Sequence, residues 1–367
     1  MKTVNLETLA RPSLKNIQVY VPGRPIEEIF RQYGLRSVIK LASNENPLGP
    51  SPKVLAALRQ NLKGISRYPE GSAYYLKQDL SRHLNVKPEE LIITSGSSEA
   101  ISLCLQAFVS PGDQVVFPRP SFLIYPILCH MIGAVAVEIP LNEDYSYSVE
   151  RILASITEKT KVLILCNPNN PTGTILTRSQ LDQLWRELPE RVITISDEAY
   201  AEYVESKNYG SALPSFRQRH VLIARTFAKI YGLAGLRIGY GIASEEMVQI
   251  LEKIRPPFNT TSLAQVAARA ALKDRQYVIR ALRVNSRGKK YLFRELTRLG
   301  FSCIPTQANF ILCDFKRPAS GLVKELEKRG ILIRLMPAAG LGDNLARITI
   351  GTRAENEKLV KTLKQIL

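Results

Sequence analysis

The chain has 367 residues, 45% of them hydrophobic and 7% aromatic, with 50 Lys+Arg against 33 Asp+Glu for a formal charge of +17. A chain of that length buries a core without disulfide or metal staples, which excludes a miniature scaffold, and no stretch approaches the ~18 consecutive apolar residues of a spanning helix. Residues 1–16 carry Lys2, Glu7, Arg11 and Lys15 and no apolar segment, so a soluble, unexported protein is expected.

The first 35 residues are punctuated by Pro12, Pro22, Pro25 and Gly34 and are expected to pack on a unit formed later in the chain. From residue 90 to 243, short β-branched runs alternate with polar or helical stretches. The runs at Leu91–Thr94, 114–117, 135–139, 162–166, 192–196, 221–224 and 238–242 are continuously apolar, as strands of a mostly parallel sheet buried on both faces are. After residue 245 the pattern turns helical through Arg298, then gives strand-like runs at 308–313 and 347–350 and a terminal helix from Ala354. The reading is an α/β protein of two units: a large one over 36–260, and a smaller α+β one in which 1–35 packs with 261–367.

Residues 271–300 hold nine basic side chains against Asp274 and Glu295. Ala281, Leu282, Tyr291, Leu292 and Leu296 fall at the spacing of a buried helical stripe, so the charges are read as its solvated face, with a field that steers anions inward. That stripe spacing, with no recognised binding motif among the charges, argues against a nucleic-acid surface. The five cysteines form no Cys-x-x-Cys and are read as reduced and mostly buried; His83, His130 and His220 share no helical face, so no metal site is expected.

Polar residues cluster directly after four of the predicted strands, at 95–99, 167–173, 197–200 and 226–229. Open parallel sheets bind ligands at the carboxyl ends of their strands, so a site is expected there. Gly96-Ser97-Ser98-Glu99 before an apolar helix is either an anion cradle or an ordinary serine cap. Asn167 to Gly173 is either a proline-locked loop aiming an amide or a plain turn, and Asp197 with Tyr200 is either a functional carboxylate and phenol or a helix start. In Thr226-Phe227-Ala228-Lys229, a lone lysine precedes a glycine-rich segment with Arg237 eight residues on. Four glycines there imply close backbone approach. A desolvated lysine is a carbonyl nucleophile, and threonine and arginine are phosphate ligands. Lysine, aspartate and phosphate ligands together match the needs of pyridoxal 5′-phosphate.

These motifs resemble the fold-type I pyridoxal-phosphate aminotransferases. The likeness extends to Tyr20 through Arg24, to Asn44-Glu45-Asn46-Pro47-Leu48-Gly49, to Arg67 through Gly71 and to Arg347 through Thr352, which are similar to the histidinol-phosphate branch of that family. The resemblance implies a large domain with a mostly parallel sheet plus a smaller domain, and a cytoplasmic homodimer with shared active sites. It implies that Lys229 bonds the cofactor and carries the proton, and that Asp197 keeps the pyridine nitrogen protonated. Asn170 and Tyr200 would bond the ring oxygen, and Phe122 would stack on the ring. Ser97, Ser98, Thr226 and Arg237 would hold the phosphate with Tyr68 of a second subunit, while Arg347, Arg334, Tyr20 and Asn44 would take the substrate. The implied reaction moves an amino group from glutamate to imidazole-acetol phosphate in two ping-pong stages. Ser98, Phe122, Ala228 and Leu335-Met336 depart from the family's commoner residues. An aromatic aminotransferase, a phosphothreonine decarboxylase and a silent regulator are the alternatives.

Overall fold

A computed structural model of the protein describes residues 5–17 and 24–367. Tyr20 lies outside the described residues. After α1 (Leu6–Leu9), α2 (Ile26–Tyr33) ends at Gly34, whose φ of 62° supplies the left-handed cap. Ile29 of α2 packs with Ala42 and Leu332, and β1 (Ile39–Lys40) pairs in parallel with residues 331–332, so this segment joins the C-terminal part of the chain.

The central stretch runs α3 (Pro52–Asn61), α4 (Tyr74–Leu84), β2 (Leu91–Thr94), α5 (Ser97–Phe108), β3 (Gln114–Arg119), α6 (Ile124–Ile132) and β4 (Val135–Pro140). It continues through α7 (Val149–Ala154), β5 (Thr160–Cys166), α8 (Arg178–Glu187), β6 (Ile193–Asp197), β7 (Val221–Thr226) and β8 (Gly239–Ile242). Each of the seven predicted strands is present. They form one sheet in the order β2-β8-β7-β6-β5-β3-β4, parallel except that β8 runs against both neighbours. Both faces are covered: Val162, Ile164 and Cys166 of β5 enter one core, whereas Leu163 and Leu165 enter the other. Because β2 and β7 both oppose β8, the ends of β2, β5, β6 and β7 share one edge.

The chain then forms α9 (Glu245–Glu252), α10 (Ser262–Leu272), α11 (Arg275–Arg298), β9 (Ser302–Cys303), β10 (Phe310–Asp314), α12 (Ser320–Lys328), β11 (Ile331–Leu332), β12 (Arg334–Leu335), β13 (Leu345–Thr349) and α13 (Arg353–Ile366). Strands β12-β13-β10-β9 make a second, antiparallel sheet. The two-residue strands escaped the sequence reading because so short a run carries no period. The basic window is α11 as expected; Ala281, Leu292 and Leu296 are buried, but the stripe also takes in Asn285, Gly288 and Glu295. One expectation is corrected. Helix α10 was read with the smaller unit, yet its Ala264, Ala267, Ala268 and Ala271 join the core beneath the seven-stranded sheet and the helix packs on α3 and α4. Small side chains let it approach those helices closely.

Candidate active site

Among the described residues, all the expected site residues except Tyr68 line one cavity of about 210 Å³ at the shared edge of the large sheet. Three groups of contacts organise it.

At one end, α5 begins at Ser97, three residues earlier than the apolar run suggested. Its cap is Gly96, with φ 83°, and no side chain caps the helix, so Ser97 and Ser98 occupy the first turn and are not N-caps. Backbone N–H groups of that turn and two hydroxyls therefore meet where the helix dipole is positive. Arg237, in the left-handed region at φ 51°, donates to the Ala234 carbonyl at 3.1 Å and lies flat against Gly96: a Cβ there would sit 2.8 Å from its Nη2. Gly239 packs on the Gly96 backbone in the same way, and Gly232 on the Gly49 carbonyl. The expected close approach thus holds at these glycines and at Gly241, but Gly235 faces open space. Thr226 accepts from the Ala228 N–H at 3.1 Å and donates to the Ile238 carbonyl at 3.3 Å, which anchors the loop leading to Lys229.

Lys229 and Asp197 hold the middle. Asp197 ends β6, not a helix start, and is buried; its Oδ1 accepts from the Ala199 N–H at 3.2 Å and its Oδ2 from the Tyr125 hydroxyl at 2.8 Å. Burial pushes its carboxyl up to about 6 against the pull of those donors and of Lys229. Burial likewise brings Lys229 down to about 8, helped by Arg347 and Arg237 and opposed by Glu45 and Asp197. Its Nζ sits 5.4 Å from the centre of the Tyr200 ring. A minority of the amine, far more than of a solvated lysine, is therefore neutral and nucleophilic near physiological pH. Tyr200 accepts from Asn44 Nδ2 at 3.0 Å and meets Phe310 edge-on; burial raises its phenol.

At the other end, strand register places Arg334 of β12 directly opposite Arg347 of β13. Buried Arg347 donates to Asn170 Oδ1 at 2.6 Å and to the Ala42 carbonyl at 2.8 Å, with its guanidinium 5.5 Å from the Phe310 ring centre. Since arginine can only donate, Asn170 must turn its oxygen to Arg347 and present its NH₂ elsewhere. Asn44, at φ 56°, is held by Thr349 and Asn309: its N–H reaches Thr349 Oγ1 at 2.9 Å and its carbonyl accepts from Asn309 at 3.0 Å. Its amide serves Tyr200 and Thr349, so it braces the site from the N-terminal segment.

Tyr68 stacks on Phe258, with ring centroids 4.7 Å apart, and is 82% exposed, away from this chain's cavity. Sequence reasoning missed Tyr125, Asn309 and Thr349. Of these only Tyr125 left a signal, a tyrosine inside an otherwise apolar helical run, where a buried hydroxyl needs a partner. The donor set fits a phosphorylated aldehyde with a basic ring nitrogen: an anion cradle closed by Gly96, a neutralisable lysine and a buried carboxylate in one cavity.

Comparisons with known proteins agree with that geometry. Residues 36–363 match the family Aminotransferase class I and II. The chain is 43% identical over 97% of its length to histidinol-phosphate aminotransferase of Moorella thermoacetica, covering 92% of that protein. It is 44% identical to the enzyme of the same name from Brevibacillus brevis, with 96% of each covered. The crystal structure of histidinol-phosphate aminotransferase from Sinorhizobium meliloti in complex with pyridoxal-5′-phosphate superimposes with a TM-score of 0.87 at 27% identity, over 97% of this chain and 98% of that one. Sequence, fold and cavity converge, and the chain belongs to the class I and II aminotransferases.

Proposed function

We propose that the protein uses pyridoxal 5′-phosphate to transfer an amino group from glutamate to imidazole-acetol phosphate, as a histidinol-phosphate aminotransferase. The observation that carries this is the Arg334–Arg347 register. Like charges directly opposite each other across two strands are destabilising, and here both line the cavity, so the pair is suited to an anion more highly charged than one carboxylate. A phosphate ester is such an anion, and relatives at 43–44% identity carry that substrate in their name.

Bound pyridoxal phosphate supplies an aldehyde that takes up the amine and a ring that spreads the electron pair left at the substrate carbon. Ser97, Ser98, Arg237 and Thr226 would hold its phosphate, Phe122 would stack on its ring, and Asn170 and Tyr200 would bond its ring oxygen. Asp197 would offer a buried negative charge to the ring nitrogen. Lys229, poised near 8, takes and returns a proton at Nζ with little driving force lost in either direction. Arg347 and Arg334 would bind the substrate's anionic end.

The same reading holds that the protein is a cytoplasmic homodimer in which Tyr68 serves the partner's cavity. The exposed Leu62, Ile65, Tyr68, Tyr74 and Tyr75 support an interface there, and the five free cysteines fit a reducing compartment. Two domains belong to it as well. We place the boundary inside α11, not at residue 260, because Tyr277 and Ala281 pack in the core of the large sheet whereas Leu292 and Leu296 pack against the small one.

Initial rates with imidazole-acetol phosphate, phenylpyruvate and prephenate, each with glutamate as donor, test the proposal. Imidazole-acetol phosphate should be the preferred acceptor. A preference for phenylpyruvate would instead make the protein an aromatic aminotransferase, and release of carbon dioxide from phosphothreonine would make it a decarboxylase.

A further inference from the structure

Asp197 reaches the cavity from the end of β6, but the group that fixes it comes from α6. Tyr125 is fully buried and donates to Oδ2 at 2.8 Å, while the Ala199 N–H reaches Oδ1. With one donor on each oxygen the carboxylate cannot turn about its broad terminal torsion, so its remaining lone pairs keep one direction. The phenol is fixed in turn. Its ring meets Phe117 and Phe122 edge-on, each at 5.8 Å between centroids. The turn before α6 is tied down by Ser121, which donates to Asn169 Oδ1 at 2.8 Å, and by Asn169, which donates to the Pro120 carbonyl at 2.9 Å.

We propose that Tyr125 is the positioning residue for Asp197, aiming its carboxylate at the cofactor's ring nitrogen from the same short segment that supplies Phe122 to the ring face. This rests on reading the cavity as a pyridoxal phosphate site. Among the described residues two donors serve Asp197, and the phenol's is the shorter bond, 2.8 Å against 3.2 Å. Its removal leaves a buried carboxylate on one long backbone bond, free to rotate and more readily protonated. Burial drives the Asp197 carboxyl upward, and the Tyr125 hydrogen bond is the largest influence acting against it. The other groups facing Asp197 do not replace that bond. Lys229 favours the ionised form and Glu198 opposes it, while burial keeps Cys166, Tyr147 and Tyr200 protonated. Burial also holds Tyr125 itself far above the usual phenol range, so it stays a donor at every working pH.

Tyr125→Phe removes one oxygen and keeps the ring contacts, so the full-length apoprotein should fold with a thermal midpoint close to wild type. Isotope-edited infrared spectra, with Asp197→Asn as the blank, should show the Asp197 carboxyl titrating about one pH unit higher, and pyridoxal phosphate should bind about twofold more weakly at pH 7 and approaching tenfold more weakly at pH 5 relative to wild type. That ratio should shrink toward unity by pH 9, where the carboxyl is ionised in both proteins. In an Asp197→Asn background the same substitution should change affinity less than about twofold at pH 5, since a residue that acts only through Asp197 has nothing left to act on. An unmoved carboxyl titration, or an equal loss of affinity in the Asp197→Asn background, would overturn the proposal and leave Tyr125 as packing. Failure of the wild type to bind pyridoxal phosphate would overturn the reading of the site itself, a different and separable result.

Discussion

Asp197 and Glu198 are neighbours at the end of one strand, both buried, and the chain treats them in opposite ways. Successive side chains of a strand point to opposite faces. Glu198 points away from the cavity into a complete set of partners: Arg225 reaches its Oε2 through Nη2 at 2.6 Å and Nε at 3.1 Å, Ser211 bonds both oxygens, and the Ala212 N–H reaches Oε1 at 2.8 Å. Asp197 points into the cavity with one phenol and one long backbone bond. An acid completed by its own chain works for the fold. An acid left incomplete costs stability and is available to complete something else.

The comparison can be broken in order of effect. The cavity side depends first on Lys229: Lys229→Ala should bind pyridoxal phosphate yet lose transamination beyond about 10⁴-fold, because it removes both the covalent anchor and a proton carrier that alone is worth about 10²–10⁴. Borohydride reduction of the wild type should fix the chromophore on the Lys229 peptide, and label on any other lysine would contradict the assignment.

Glu198→Ala should fail as a protein before it fails as an enzyme. It strands Arg225 in the interior and should cost about 3–5 kcal/mol in chemical denaturation.

Asp197→Asn should do the reverse. Turnover should fall about 10²–10³-fold, the usual loss when one preorganised electrostatic contact is removed, while the apoprotein should be no less stable at pH 7–8. The sign follows from the raised carboxyl. As pH climbs from about 4 to about 6 the unfolded chain has released this proton and the native chain still holds it, so native stability falls with rising pH across that window. Asp197→Asn should flatten that slope in a series of apoprotein melts, and an unchanged slope would mean that the carboxylate is better solvated than its surroundings imply.

The smallest effect separates the two arginines. Arg347→Ala should raise KM for both glutamate and histidinol phosphate. Arg334→Ala should cost about ten- to hundredfold in kcat/KM for the phosphate substrate, the worth of a hydrogen bond to a charged group, and less for glutamate. Equal damage to both substrates would remove the ground for a phosphate-specific second arginine.

Much of this was legible before any coordinates. The seven strands announced themselves as apolar runs because a strand buried on both faces cannot alternate, and the polar clusters after four of them marked the binding edge because buried backbone leaves polar chemistry only where strands end. The serines of 97–98 show the limit of that reading. As sequence they were equally good caps, and only the placement of Gly96 at the cap freed them for the cavity. Helix α10 shows it too, since a run of alanines says that something packs closely without saying what.

The sequence by itself determined the strands, the loops that carry chemistry and the residue types able to hold a phosphorylated aldehyde, because periodicity, burial and turn chemistry act over a few residues. Only the tertiary structure decided which of those residues meet. It brought Asn44 to Tyr200 across 156 positions of chain, set Arg334 against Arg347 by the register of β12 and β13, and delivered Tyr125 to Asp197 from α6, 72 positions away. Those pairings follow from which strands and helices become neighbours, and no local spacing records that.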